Sequence, residues 1–294
     1  MNMYTELEWI KEGFGGNGGW EDREGGVFMD HAFDNTMNTL VRQADFAYSN
    51  MKFRDALKSC YFDFISAKNT YRDWCTIMSV SPKRCLMMKF VKTIAVIMSP
   101  IIPHWCEAVW EAIGESGFAV KEKWPEVPAE NKLMSKQMHC LMRSLKNFRQ
   151  VVTKSKKKIS SIFVMVADKY PEWKNDALDW MQANKGNIED SKVFMGDLKK
   201  WAGSLPDKKN TKNVMQFVSF VRKEYMEGEK DALDKVMHYD QKELFASSIT
   251  YLQSQLGVQD ISVVNLTKDG KPEACSDKAA EGVGPGKPGL FLVS

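Results

Sequence analysis

The chain has 294 residues, 44% of them hydrophobic and 27% charged, enough to bury one large core or two modest ones, and two domains is the better fit to that length. A net charge of +3 and a pI near 8.4 are mild, so any nucleic-acid reading must rest on where the cations sit rather than on their total. The start MNMYTELEWIKEG has neither a secretory leader's pattern nor an evident mitochondrial presequence, no apolar span of membrane length occurs, and the six cysteines (60, 75, 85, 106, 140 and 275) never reach a CxxC spacing. Secretion, membrane insertion and a disulfide scaffold are therefore unsupported, and the cysteines read as reduced core residues of an intracellular, cytoplasmic protein.

Residues 13–26 hold seven glycines, the composition of a flexible linker. They do not read as a phosphate cradle, because no strand precedes them and no Gly-Lys-Ser/Thr end follows. A first helix is expected from about Asp34 to Asn50, with Met37, Leu40, Ala44 and Ala47 on one face. A second is expected from Lys52 to about Ile77, where Phe53, Leu57, Cys60, Phe64, Ala67, Tyr71 and Trp74 step by four and three as one buried stripe. Ser81-Pro82 reads as the N-cap and first position of a third helix, which Pro100 and Pro103 break. A shorter helix from about His104 to Ile113 stops at Gly114, and Met134, Met138, Leu141, Leu145 and Phe148 mark the last long one.

Past a basic run ending at Lys158 the texture changes. Ile159–Ala167 reads as a buried strand. Helical patterns return at about 171–184, 188–202, 210–226 and 241–256, strands are expected at Gln259–Leu266 and Leu290–Val293, and 276–289 reads as a proline-glycine loop. No internal repeat is visible. The expected fold is mainly α: a linker at 1–30, a helical bundle at 31–155 and a small α/β domain at 156–294.

The identities say more than the periods. The run Phe33–Arg72, with KFRDALKS at 52–59 and SAKNTYR at 66–72, resembles the anticodon-binding helical bundle of class I aminoacyl-tRNA synthetases, and most of all that of the cytosolic, archaeal-eukaryotic leucyl type. KISSIFVMVADKYPEWK (158–174), SITYLQSQLGVQDISVVNL (248–266) and PGKPG (285–289) resemble passages of that family's C-terminal domain, and EWIKE (8–12) the segment leaving its catalytic core. The series runs in matching order along nearly the whole chain.

The HIGH-type and KMSKS-type elements that grip ATP in this family are absent, as is anything resembling its editing domain. Met134-Ser135-Lys136 echoes the second motif, but it lies in a helical stripe, whereas a phosphate loop needs mobile backbone. The resemblance thus implies the C-terminal portion of a synthetase, or a relative without catalysis. No cofactor is expected in this stretch, since ATP, Mg and leucine would bind the catalytic core elsewhere.

Other chemistry finds little footing. His31, His104, His139 and His238 are far apart, and His104 and Cys106 at i and i+2 do not face each other on a helix, so no metal site is expected. Cys85 and Cys106 have no placed base and default to the core. Trp74, Trp105, Trp110 and Trp124 read as packing residues, and Trp173 and Trp180 as partly exposed.

Cations remain. Lys52–Lys92 carries nine against three acids, and Lys146–Lys158 carries six against none. In a bundle of the resembled type, these imply phosphate contacts from Arg54, Lys58, Lys68, Arg72, Lys83 and Arg84 in the first set. The second set supplies Lys146, Arg149, Lys154, Lys156, Lys157 and Lys158. The resemblance implies that the bundle holds the body of leucine tRNA rather than reading its anticodon, while the C-terminal domain reaches the elbow or variable arm. Expected partners are leucine tRNA and the remainder of the synthetase. The competing reading is a synthetase-derived interaction subunit of a larger protein or ribonucleoprotein assembly.

Overall fold

The computed structural model describes residues 3–16, 19–155, 159–205, 211–226, 230–235, 238–272, 275, 280 and 282–293. The chain forms two compact units, Met1–Met142 and Arg143–Ser294.

The first unit is a helical bundle. It contains α1 (Met3–Phe14), α2 (Phe28–Ser49), α3 (Phe53–Leu57), a π-helical turn at Lys58–Asp63, α4 (Phe64–Ile77), α5 (Arg84–Met98), α6 (Pro103–Ala112) and the opening turns of α7 (Lys132–Lys154). The stripe Met37, Leu40, Ala44, Ala47 of α2 is buried throughout, as its spacing requires. In the core Phe33 stacks on Tyr71 at 4.7 Å and Phe64 on Phe90 at 5.1 Å, and burial of each such ring contributes about 2–3 kcal/mol. Pro103 opens α6, and Gly114, at φ 74°, supplies the left-handed residue that ends it.

Three expectations are corrected here. Residues 1–30 are not a linker, because Met3–Phe14 is helical, with Glu6 and Ile10 buried. Trp20 is buried against Trp9 and Phe14, and a Cβ at Gly13 would lie 2.3 Å from its ring, so this glycine serves close packing rather than flexibility. Phe53 does not belong to the buried stripe. It is 58% exposed while Ala56 is buried, because the π-helical turn inserts a residue and rotates everything before it by about 100° relative to α4. The third helix begins at Arg84 instead of Pro82, since Lys83 is extended (φ −70°, ψ 119°) and the Pro82 carbonyl accepts from Glu21 N–H at 3.1 Å rather than from the next helical turn.

The second unit takes the last turns of α7, then β1 (Ser161–Val166), α8 (Glu172–Ala183), α9 (Ser191–Ser204), α10 (Thr211–Met226), α11 (Gln241–Ala246), α12 (Ile249–Leu256), β2 (Asp260–Asn265) and β3 (Gly289–Val293). β1 is central, parallel to β2 in the register Ile162 opposite Ile261 and antiparallel to β3 with Ile162 opposite Leu292. Its side chains are at least partly buried on both faces, so it reads as a nearly continuous apolar run. α8, α9 and α10 close a separate core around Leu178, Phe194, Leu198 and Val218. The expected helix over 241–256 is two helices, broken at Ser247–Ser248, whose hydroxyls both turn back onto Leu244 O.

The units part at Met142/Arg143, inside α7, rather than near 155. Beyond that point the helix spends its side chains on the second unit: Arg143 pairs with the buried Glu224 of α10, and Phe148 packs on Phe245 at 6.3 Å.

Candidate nucleic-acid interface

The cations singled out in the sequence divide sharply by burial. Lys68 is 1% exposed and ion-paired with Glu6 of α1, with its ammonium 4.1 Å from the Trp9 ring centroid. Burial outweighs that pairing and lowers its pKa. It cannot reach a phosphate, and its place among the phosphate-binding cations is corrected. Lys83 is likewise structural, since its ammonium donates to Gly25 O at 2.6 Å. Arg72 is half-buried with its guanidinium 4.9 Å over Trp9.

Lys83 belongs to a polar knot that holds the glycine-rich segment to the bundle. Arg23 donates to Asp30 Oδ2 at 2.7 Å and to Ser81 O at 3.0 Å, and Tyr71 Oη donates to Asp30 Oδ1 at 2.7 Å. Burial would raise the Asp30 pKa, but the hydrogen bonds from Arg23, Tyr71 and Val27 N–H win and hold it low. Tyr71 is pushed up, first by burial and then by its bond to Asp30.

The open cations lie elsewhere. Arg54 and Lys58 are exposed around the start of the π-helical turn, Lys58 within 3.6 Å of Asp63, and Arg84 is half-exposed at the start of α5. On α7, Lys146, Arg149 and Lys154 are all exposed, while Leu141, Leu145 and Phe148 are buried. With about 100° per residue, Lys146 and Lys154 fall on the side of the helix opposite the apolar stripe and Arg149 on its flank. Lys156, Lys157 and Lys158 lie outside the described residues.

The tryptophans behave as expected for packing. Trp74 and Trp110 are buried, Trp124 meets Tyr48 edge-on at 5.7 Å, and Trp173 and Trp180 are partly buried against the α8–α10 core. Met134-Ser135-Lys136 lies inside α7. Cys85 is exposed, against expectation, whereas the other five cysteines are buried. Burial pushes the Cys106 thiol up to about 12, so it is no nucleophile. Among the described residues there is no group of three or more metal-ligating side chains, and no helix is long and apolar enough to cross a membrane. The residues missed in sequence are Phe46, Met51 and Phe53, large apolar side chains left in water at the α2–α3 turn. Phe46 had a visible signal, since it falls off the Met37–Ala47 stripe.

Residues 30–183, just over half of the chain, match the family model described as the anticodon-binding domain of tRNA ligase, and residues 166–238 match the leucine–tRNA ligase RagD-binding domain. This chain belongs to the family of tRNA-ligase anticodon-binding domains. It is similar to the cytoplasmic leucine–tRNA ligase of Pongo abelii, 28% identical over 98% of this chain and 25% of that protein, and to that of Neurospora crassa, 25% identical over the whole chain and 28% of that protein. The leucine–tRNA ligase of Aeropyrum pernix is 22% identical over 97% of this chain and 27% of its own length. The chain thus spans about a quarter of the leucine–tRNA ligases it matches, and it carries their anticodon-binding domain.

Proposed function

We propose that this chain is the tRNA-holding portion of a cytoplasmic leucine–tRNA ligase, gripping the body and the elbow or variable arm of leucine tRNA by its phosphates. Aminoacylation and editing, with ATP, Mg and leucine, belong to parts of the ligase outside this stretch. The reading rests on the acid-free α7, with Lys146, Arg149 and Lys154 exposed beside and opposite the buried stripe and inside the segment that matches the anticodon-binding domain. Cations on a rigid helix track a phosphate backbone without reading sequence, which suits a ligase serving tRNAs with different anticodons.

The test is a salt series of tRNA binding. Replacing Lys146, Arg149 and Lys154 with alanine should flatten the slope of log affinity against log salt by roughly 0.7 to 0.9 for each phosphate no longer neutralised, while the exposed Lys11, paired to Glu8, serves as a control whose substitution leaves the slope in place. An unchanged slope in the triple variant refutes the assignment. The chain alone should also give no leucine-dependent pyrophosphate exchange.

A second reading is a protein-interaction role, supported by the match of 166–238 to a domain named for RagD binding. Titration of the chain with RagD tests it, and no heat or mobility change removes it.

A further inference from the structure

The turn between α2 and α3 leaves three large apolar side chains in water. Phe46 is 63% exposed, Met51 73% and Phe53 58%. A hydrogen bond from Lys52 N–H to Ala47 O at 2.8 Å closes the turn, and Met51 sits in the left-handed region at φ 55°, a backbone conformation costly for a side chain of this size. The three residues therefore share one corner of the bundle. Solvated apolar groups gathered in this way mark a surface that another molecule covers.

Charge decides what kind of molecule that is. A hollow of about 430 Å³ beside Phe46 is walled by Arg42, Lys52 and Lys58 and by Asp55, Asp63 and Glu130, three cations against three acids. Such a balance gives no net field to draw a nucleic acid or an anionic membrane. An apolar centre of Phe and Met inside a rim of both signs is instead the anatomy of a protein interface. Most of the rim is already engaged: Lys58 lies 3.6 Å from Asp63, Arg42 donates to Val127 O at 3.2 Å, and Glu130 accepts from Ser135 Oγ at 2.7 Å. Lys52 and Asp55 are exposed and have no ion-pair partner among the described residues. The charges left over are thus one of each sign, three positions apart in a single turn.

We infer that this corner is the contact surface for a second copy of the chain, the two copies related by a two-fold axis. In a contact of that symmetry one patch meets itself, so it must carry its own complement. Phe46, Met51 and Phe53 supply the shared apolar centre, and Lys52 of each protomer faces Asp55 of the partner subunit. The surface uses none of the α7 cations, so the inference does not rest on the tRNA-binding reading.

The test is analytical ultracentrifugation of the full chain over a dilution series, in reducing buffer so that the exposed Cys85 cannot link copies, with circular dichroism on every variant. The wild-type chain should move from 33.6 kDa toward twice that mass as concentration rises. Phe46→Ser/Phe53→Ser, at two solvent-exposed positions, should stay monomeric. Lys52→Glu and Asp55→Lys should each weaken association at least about tenfold, because each sets like charges opposite one another at two places. Mixing these two variants in equal amounts should restore the dimer, since each then meets the opposite charge at both contacts. Loss of fold cannot produce that recovery. A wild-type chain that stays monomeric throughout the series overturns the inference. So does a dimer that survives Phe46→Ser/Phe53→Ser, or a mixture of the two charge variants that associates no better than either alone.

Discussion

Lys68 of α4 and Glu6 of α1 meet as an ion pair with side chains 1% and 9% exposed, joining positions 62 residues apart. The pair fastens the N-terminal helix to the bundle, and Trp9 and Phe90 flank the ammonium. A buried pair of this kind is expensive to break and cheap to replace as a whole, since removing one partner strands a desolvated charge. Glu6→Ala should therefore cost about 3–5 kcal/mol in urea unfolding, whereas Glu6→Gln/Lys68→Met should lie close to wild type. A single variant no worse than the double would mean that water enters and solvates Lys68. Because its folded pKa lies below its ordinary 10.5, the charged form opposes folding at neutral pH. That cost should fade as pH rises from the folded value through 10.5.

Asp30 has the opposite sign. Its folded pKa lies below the ordinary value of 3.8, so its contribution is fully present above 3.8 and is lost as pH falls through the folded value. Asp30→Asn should destabilise the bundle at pH 7, with the difference in unfolding midpoint shrinking below pH 3.8. A gap constant across the whole range would show that Arg23 and Tyr71 do not favour the ionised carboxylate.

Gly284 sits where no side chain fits, because a Cβ there would lie 2.0 Å from Tyr170 Cε1. Tyr170 cannot yield, being buried and donating from its hydroxyl to Pro285 O at 3.2 Å. Gly284→Ala should destabilise the second unit by about 1–3 kcal/mol through overpacking, and Gly284→Ala/Tyr170→Leu should recover part of the loss. Thermal unfolding of the three variants decides this, and a single variant as stable as wild type would place the loop away from Tyr170.

Trypsin offers a test of the glycine-rich segment. Arg23 is an apparent cleavage site in a glycine-rich run, yet its guanidinium is bound to Asp30 and Ser81 O, so the peptide after it should resist digestion. The exposed Lys154 at the end of α7 should be cut sooner. Mass spectrometry of a time course gives the order, and early cleavage after Arg23 would return this segment to the status of a linker.

The amino-acid sequence on its own determined the alternation of elements, because helix and strand are local. The stripe Met37–Ala47, the break at Pro100 and Pro103, and the β-branched run beginning at Ile159 encode α2, the end of α5 and β1 through short-range periodicity and backbone chemistry. It also marked the acid-free basic run beginning at Lys146, where α7 ends. What it could not give depends on residues that meet only in three dimensions. Lys58 and Lys68 look alike as cations on a basic helix, but Glu6, brought in by α1, takes Lys68 out of water. Phe53 fits the stripe by spacing and still faces solvent, because one extra residue in the π-helical turn resets the register. Tertiary structure decided which cations are free, since exposure is set by what packs against a helix and not by the helix itself.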